Sequence, residues 1–122
     1  MRVFVTGSAS CLATVLLPIL CEDPNVDQVT GIDIRPTRYT HAKLNTEVLD
    51  IRAPNLADRV AEYDAVIHLA FAVQRKALSS DERDDINVRG SINVVNAAFQ
   101  NGIQKFINLS SVSVYGAGDN IA

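Results

Sequence analysis

A doubly wound α/β fold with a five-stranded parallel sheet is predicted by three observations. A β-branched and aromatic run, Val3 to Val5, stops at Thr6-Gly7 and turns into an apolar helical pattern near Ser10. Residues 64–69, Asp-Ala-Val-Ile-His-Leu, form the near-continuous apolar run that central parallel strands carry. Strand-like and helix-like segments alternate along the chain, which implies parallel pairing through right-handed crossovers. The strand order expected is 3-2-1-4-5. It places a ligand crevice at the C-terminal ends of strands 1 and 4, where the order reverses.

Strand 1 is residues 3–6. The first helix is residues 10–21, with Leu12, Val15, Leu16, Ile19 and Leu20 at helical spacing as its inward face. Pro18 lies beyond the first turn and predicts a kink or a weakened turn. Glu22-Asp23-Pro24-Asn25 breaks the helix, and residues 26–33 form strand 2, ending on Asp33. Residues 34–43 hold Pro36, show no period and read as a loop. Residues 47–49 form a short strand 3 that ends at Asp50, and residues 56–62 form one or two helical turns after Pro54. Strand 4 is the 64–69 run. Residues 72–79 then connect to a long helix over about 80–100. Ser80 is its predicted cap, and Asp81, Glu82, Asp84 and Asp85 suit the positive end of its macrodipole. Its predicted apolar face is Ile86, Val88, Ile92, Val95, Ala98 and Phe99. Gly90 costs helix stability relative to alanine, which implies close packing against a neighbour. Asn101-Gly102 ends the helix. Strand 5 is residues 105–109, and residues 117–122 read as a loop cut short.

Composition bounds the function. The chain has 122 residues, enough for one domain, and 48% are hydrophobic, enough for a core. A net charge of −3 with scattered basic residues leaves no footprint for nucleic acid. The longest apolar run contains Pro18 and is too short to span a bilayer. Met1-Arg2 leads straight into a strand and not into a signal peptide. Cys11 and Cys21 have no metal-site spacing, and on one helix they stand too far apart to bond to each other. The expected setting is reducing and cytoplasmic.

The site candidates are the strand ends. Gly7 and the helix start around Ser10 form a phosphate cradle, because the first N–H groups of a helix lack partners and carry a partial positive charge. A glycine fingerprint of the form G-x-x-G-x-x-G/A would need glycines at positions 7 and 10. The chain has Gly7, Ser10 and Ala13, so Ala13 keeps the helix–strand packing role while Ser10 brings a Cβ where backbone should approach the anion. The Ser10 hydroxyl could instead donate to a phosphate oxygen. Asp33 stands 26 positions after Gly7, near the roughly 20 expected for a carboxylate that accepts from a ribose diol. Such a carboxylate repels a 2′-phosphate and favours NAD over NADP. A turn-forming aspartate is the other reading. Arg35 weakens the preference, since it could meet a phosphate or stack on adenine. Asp50 is either an acceptor for an adenine amino group, with Ile51 on the ring, or a plain loop residue. Asn87 points to the crevice or is a surface asparagine. His68 in an apolar strand reads as a core histidine, and Cys11 reads as a small packing residue.

Five segments together resemble the extended short-chain dehydrogenase/reductase group, of the NAD-dependent sugar-nucleotide epimerase/dehydratase type. They are Val-Phe-Val-Thr-Gly at 3–7, Gly-Ile-Asp-Ile-Arg-Pro at 31–36, Asp-Ala-Val-Ile-His-Leu-Ala at 64–70, Asn-Val-Arg-Gly-Ser-Ile-Asn-Val at 87–94 and Leu-Ser-Ser-Val-Ser-Val-Tyr-Gly at 109–116. The resemblance implies a Rossmann-like sheet that is incomplete without a C-terminal part. It implies a nucleotide-sugar or similar substrate and NAD as cofactor, with NADP the alternative. Gly7, Ser10 and the start of the helix at Cys11 and Leu12 would meet the pyrophosphate. Asp33 would take the adenine ribose, Asp50-Ile51 the adenine, and Leu69, Ala70 and Phe71 would line the cofactor. Ser111 matches the family's catalytic Ser/Thr, with Ser110 beside it, whereas Tyr115 belongs to the Val-Tyr-Gly segment and is not the catalytic tyrosine.

The family's catalytic Tyr-x-x-x-Lys lies after that segment, and the chain stops at Ala122. Residues 1–122 are therefore expected to be the N-terminal, dinucleotide-binding domain of a longer enzyme, inactive alone. A non-catalytic binding or sensor module is the alternative. A folded fragment is the third reading: strand 5 would expose its outer edge and favour self-association, in the simplest case as a homodimer.

Overall fold

The computed structural model describes residues 1–71 and 78–109. Its five strands are β1 (Arg2–Thr6), β2 (Gln28–Asp33), β3 (Leu44–Val48), β4 (Ala65–His68) and β5 (Lys105–Asn108). All pair in parallel, in the order β3-β2-β1-β4-β5, as expected. β1 therefore sits at the centre, and the chain leaves it toward β2 on one side and β4 on the other. Strand residues alternate between faces. Val3 and Val5 enter one core layer with Ala13, Leu17, Cys21, Val29 and Ile67. Phe4 enters the opposite layer with Ile32, Ile51, Leu56, Val60, Val66 and Val94.

β3 starts three residues earlier than its short apolar signal suggested. It is an edge strand whose length is set by pairing with β2, from Val29↔Leu44 to Asp33↔Val48. Asn45 and Thr46 are exposed, so they carry no hydrophobic cue.

α1 (Cys11–Glu22) runs through Pro18 without a break. Its inward face differs from the predicted one: Ala13, Leu17 and Cys21 are buried, while Leu12, Val15 and Ile19 are 45%, 61% and 61% exposed. Leu16 and Leu20 flank the buried row. The helix is apolar nearly all round, so periodicity admits two solutions. The row containing the small Ala13 and Cys21 is the one packed in the β1 core layer. Burial also pushes the Cys21 thiol upward in pKa, whereas Cys11 is exposed and not the buried packing residue expected.

After α2 (Leu56–Val60), the predicted long helix is three pieces: α3 (Ser80–Asp84), one wider π-helical turn (Asp85–Gly90) and α4 (Ser91–Gln100). Ser79, not Ser80, is the cap; its hydroxyl accepts from the Glu82 amide and Glu82 returns the bond to the Ser79 amide, a capping box. The π turn inserts a residue and so rotates α4 about the helix axis. Gly90, Val94, Ala97 and Ala98 face inward, and Val88, Ile92, Val95 and Phe99 are 56%, 53%, 48% and 85% exposed. Gly90 is where the predicted close packing occurs, since a Cβ there would lie 2.5 Å from Cδ1 of buried Ile51. Asn101-Gly102 closes α4 as predicted: the Gly102 amide donates to Phe99 and the Ile103 amide to Ala98, a Schellman motif with Gly102 at φ +62°. Among the described residues no helix is long and apolar enough to cross a membrane.

Candidate functional site

The crevice opens where the topology predicts, beside the ends of β1 and β4. Gly7, Ser10, Asp33, Ile34 and Arg35 form one wall; Leu49, Asp50 and Ile51 form a second; Leu69, Ala70, Phe71, Leu78 and Ile86 form the third. Four of these, Ile34, Leu49, Leu78 and Ile86, had no place in the sequence-based site. Leu78 and Ile86 come from around α3, whose position only the tertiary fold defines.

The β1–α1 turn can be traced amide by amide. Gly7 and Ser8 donate to the carbonyl of Ile32, at 2.8 and 3.1 Å. Ala9 donates to Oδ2 of Asp33 at 2.9 Å. Ser10 donates to the Gly7 carbonyl, and the Ala13 amide is capped by Oγ of Ser10 at 3.3 Å. Cys11 and Leu12 occupy the first two helical positions, where an α-helix offers no carbonyl acceptor. Ser10 is thus the helix N-cap, and its hydroxyl hydrogen stays available to an anion. The side chains of Cys11 and Leu12 are exposed, and neither residue is among those that line the crevice.

Gly7 has φ +77°, and a Cβ on it would stand 2.6 Å from the Ala70 nitrogen. Glycine lets β1 and the end of β4 touch here. Asp33 is 8% exposed. Its Oδ1 accepts from the Arg35 amide at 2.9 Å while Oδ2 holds Ala9, so it is both a turn former and the tie between β2 and the cradle. Four lone-pair directions on a carboxylate leave room for further donors. The half-exposed Arg35 brings Nε to 3.7 Å from Oδ1.

Asp50 is held by Arg52, a residue that no sequence pattern singled out. The Arg52 Nη2 donates to Oδ2 at 2.8 Å, and both Nε and the Arg52 amide donate to Oδ1 at 3.1 and 2.8 Å. This guanidinium keeps the Asp50 carboxyl below the ordinary carboxylate range. The Ile51 side chain is buried toward Gly90, and its carbonyl accepts from Asn93 at 2.7 Å. Asn87 lies half-buried in the π turn next to Ile86. Ser110, Ser111 and Tyr115 lie outside the described residues.

His68 is a core histidine, as expected. The Ala70 amide donates to Oγ1 of Thr6 at 3.2 Å, and the same hydroxyl shares a hydrogen bond of 2.6 Å with Nδ1 of His68. Nε2 shares a second hydrogen bond, of 2.8 Å, with Oγ of Ser91. Both ring nitrogens are used by a neutral imidazole, and burial pushes its pKa below the usual value. The unfolded chain therefore takes the proton first, so stability is full above the unfolded pKa of about 6.5 and falls as pH drops through the lower folded value. Urea unfolding between pH 7 and about pH 5 is expected to show this loss, and His68→Gln, which cannot titrate, is expected to flatten it. Equal slopes for the two chains would remove His68 from this account.

Known proteins share this outline. Residues 3–122 match the model of the NAD dependent epimerase/dehydratase family. A 3-beta-hydroxysteroid dehydrogenase of Mycolicibacterium neoaurum is 31% identical over 98% of this chain and 34% of its own length. A dTDP-D-glucose 4,6-dehydratase of Mus musculus is 28% identical over 94% of this chain and 36% of its own. The solved structure of MoeE5 in complex with UDP-glucuronic acid and NAD is 28% identical, with a TM-score of 0.85 over 100% of this chain and 40% of that one. The chain thus spans about a third of the length of the curated relatives it matches.

Proposed function

We propose that this chain, which belongs to the NAD dependent epimerase/dehydratase family, is the N-terminal dinucleotide-binding domain of an enzyme that oxidises a hydroxyl of a nucleotide sugar or a related alcohol. NAD, when bound, supplies the hydride acceptor. The observation that carries the reading is the division of the cradle's amides. Gly7, Ser8, Ala9, Ser10 and Ala13 are committed to the fold, while Cys11 and Leu12 stand at the helix start with the Ser10 hydroxyl beside them. That set fits a pyrophosphate.

In this reading Asp33 accepts from the adenine ribose and Asp50 from the adenine amino group. The apolar Leu69, Ala70 and Phe71 exclude water along the cofactor. Ser111 holds the substrate hydroxyl with Ser110 at its side, and Asn87 supports the wall near Ile86. The curated relatives include a 3-beta-hydroxysteroid dehydrogenase and a dTDP-D-glucose 4,6-dehydratase, which supports a hydroxyl-bearing substrate. MoeE5, solved with UDP-glucuronic acid and NAD, supports the sugar-nucleotide class as substrate.

The test is calorimetric titration of the 122-residue chain. Saturable NAD binding, tighter than that of NADP, is expected. Absence of heat at millimolar NAD overturns the proposal, and tighter NADP binding overturns the role of Asp33.

A further inference from the structure

We infer that Ser91 is a positioning residue: through His68 it fixes the end of β4 against the phosphate cradle, and so sets the affinity for the part of the cofactor beyond the adenosine. The inference rests on the NAD reading above and goes beyond it in giving cofactor affinity to a helix hydroxyl that does not line the crevice.

One chain of hydrogen bonds joins Ser91 to the crevice. Its Oγ shares a bond of 2.8 Å with Nε2 of His68, and Nδ1 of the same ring shares one of 2.6 Å with Oγ1 of Thr6. That oxygen accepts from the Ala70 amide at 3.2 Å. The chain thus runs from the first residue of α4, through the core, to a residue of the crevice wall. It ends at the tightest contact of the cradle, where a Cβ on Gly7 would stand 2.6 Å from the Ala70 nitrogen. The Ala70 amide therefore sits where the cradle and β4 meet.

The chain holds its geometry because it is buried. His68 is 3% exposed, and Thr6 is fully buried. A neutral imidazole has one donor and one acceptor, and a hydroxyl can serve either, so both tautomers satisfy the chain. A buried ring nitrogen without a partner is costly, so the ring keeps its orientation only while both hydroxyls are present. Its neighbour on β5, the Phe106 ring at 6.5 Å, offers no substitute. Without the Ser91 hydroxyl the ring turns, the Thr6 hydroxyl turns with it, and the Ala70 amide loses its fixed acceptor. The adenosine side does not depend on this chain. Asn93 ties α4 to the carbonyls of Ile51 and Ala53 at 2.7 and 2.9 Å, and Gly90 packs on Ile51. Asp33 is held by the amides of Ala9 and Arg35.

The experiment titrates the full chain with NAD by calorimetry, and with AMP by NMR, for wild type, Ser91→Thr, Ser91→Val and Ser91→Ala, at a temperature where each is folded. Threonine keeps the hydroxyl, and valine has the same shape without it, so their difference isolates the hydrogen bond. Ser91→Val is expected to bind NAD roughly three- to tenfold more weakly than Ser91→Thr, the scale of one hydrogen bond. AMP, which carries the adenosine and one phosphate, is expected to change by less than about twofold. Ser91→Thr is expected to bind both near the wild-type affinity, a rescue that a packing role would not produce. Equal NAD affinity for the threonine and valine variants overturns the inference. An equal loss for NAD and AMP overturns it as well, since Ser91 would then support the whole crevice and not the β4 end. If Ser91→Val fails to fold, Ser91→Ala against Ser91→Thr decides by the same ratio. Failure of wild type to bind NAD sinks the NAD reading, and the inference with it, whereas wild-type binding with an unmoved ratio removes Ser91 alone.

Discussion

Gly7→Ala is expected to lower folding stability by about 3 kcal/mol or more and to abolish dinucleotide binding. Two effects add. A left-handed backbone costs an L-residue roughly 1–2 kcal/mol, and Gly7 stands at φ +77°. The new methyl would also lie 2.6 Å from the Ala70 nitrogen and 2.8 Å from the Leu69 carbonyl carbon. These are backbone atoms at the end of β4, with no rotamer to yield, so β1 and β4 must part or the cradle must move. Overpacking of this kind typically costs a further ~1–3 kcal/mol. Gly102 is the internal control. It has φ +62° and nothing stands within 4 Å of the place a Cβ would take, so Gly102→Ala carries the backbone term alone, about 1 kcal/mol. Urea unfolding of the two variants separates the terms. Similar losses for both would show that the contact between Gly7 and the β4 end does not carry the cost.

The same contact explains why the strand order was legible and the helix faces were not. The apolar runs at Val3–Val5 and Ala65–Leu69 need a partner on each side, and their glycine and polar ends mark where each stops. In a parallel sheet these facts nearly fix the neighbours of β1. Helix faces are decided by competition between stripes. α1 offers Leu12-Val15-Ile19 and Ala13-Leu17-Cys21, and the larger residues lost to the row that contains the smaller ones. On the long helix the π turn rotates the register between Ile86 and Val94, a change that no simple period reveals.

The site was legible to a similar depth. The fingerprint's missing glycine reads as a loss until Ser10 is seen to cap α1, where its side chain satisfies a helix-start amide. Asp33 was open between a ribose acceptor and a turn former because spacing reports only where the carboxylate is. It does not report that two amides from different segments already bind it. Arg52 was invisible for the same reason. Its partners are Asp50, two residues away across a tight turn, and Asp85, which only the fold brings near.

Asp33→Asn separates the two duties of Asp33. The amide oxygen can accept from either Ala9 or Arg35, but its NH₂ faces the other donor, leaving a buried N–H unpaired at about 1–3 kcal/mol. Stability is therefore expected to fall by that amount whatever the ligand. If the carboxylate also accepts from the ribose diol, NAD affinity is expected to drop roughly tenfold or more beyond any general loss. NADP should suffer less, because the charge that repels its 2′-phosphate is gone and Arg35 is released from its neighbour at 3.7 Å. The quantity that decides is the ratio of NAD to NADP affinity, measured at a temperature where both chains are folded. A ratio that moves toward NADP assigns the ribose to Asp33. A ratio that stays put while the unfolding midpoint falls makes Asp33 a tie between β2 and the cradle and nothing more. Discrimination between the cofactors would then belong to Arg35, whose removal by Arg35→Ala should in that case shift the ratio alone.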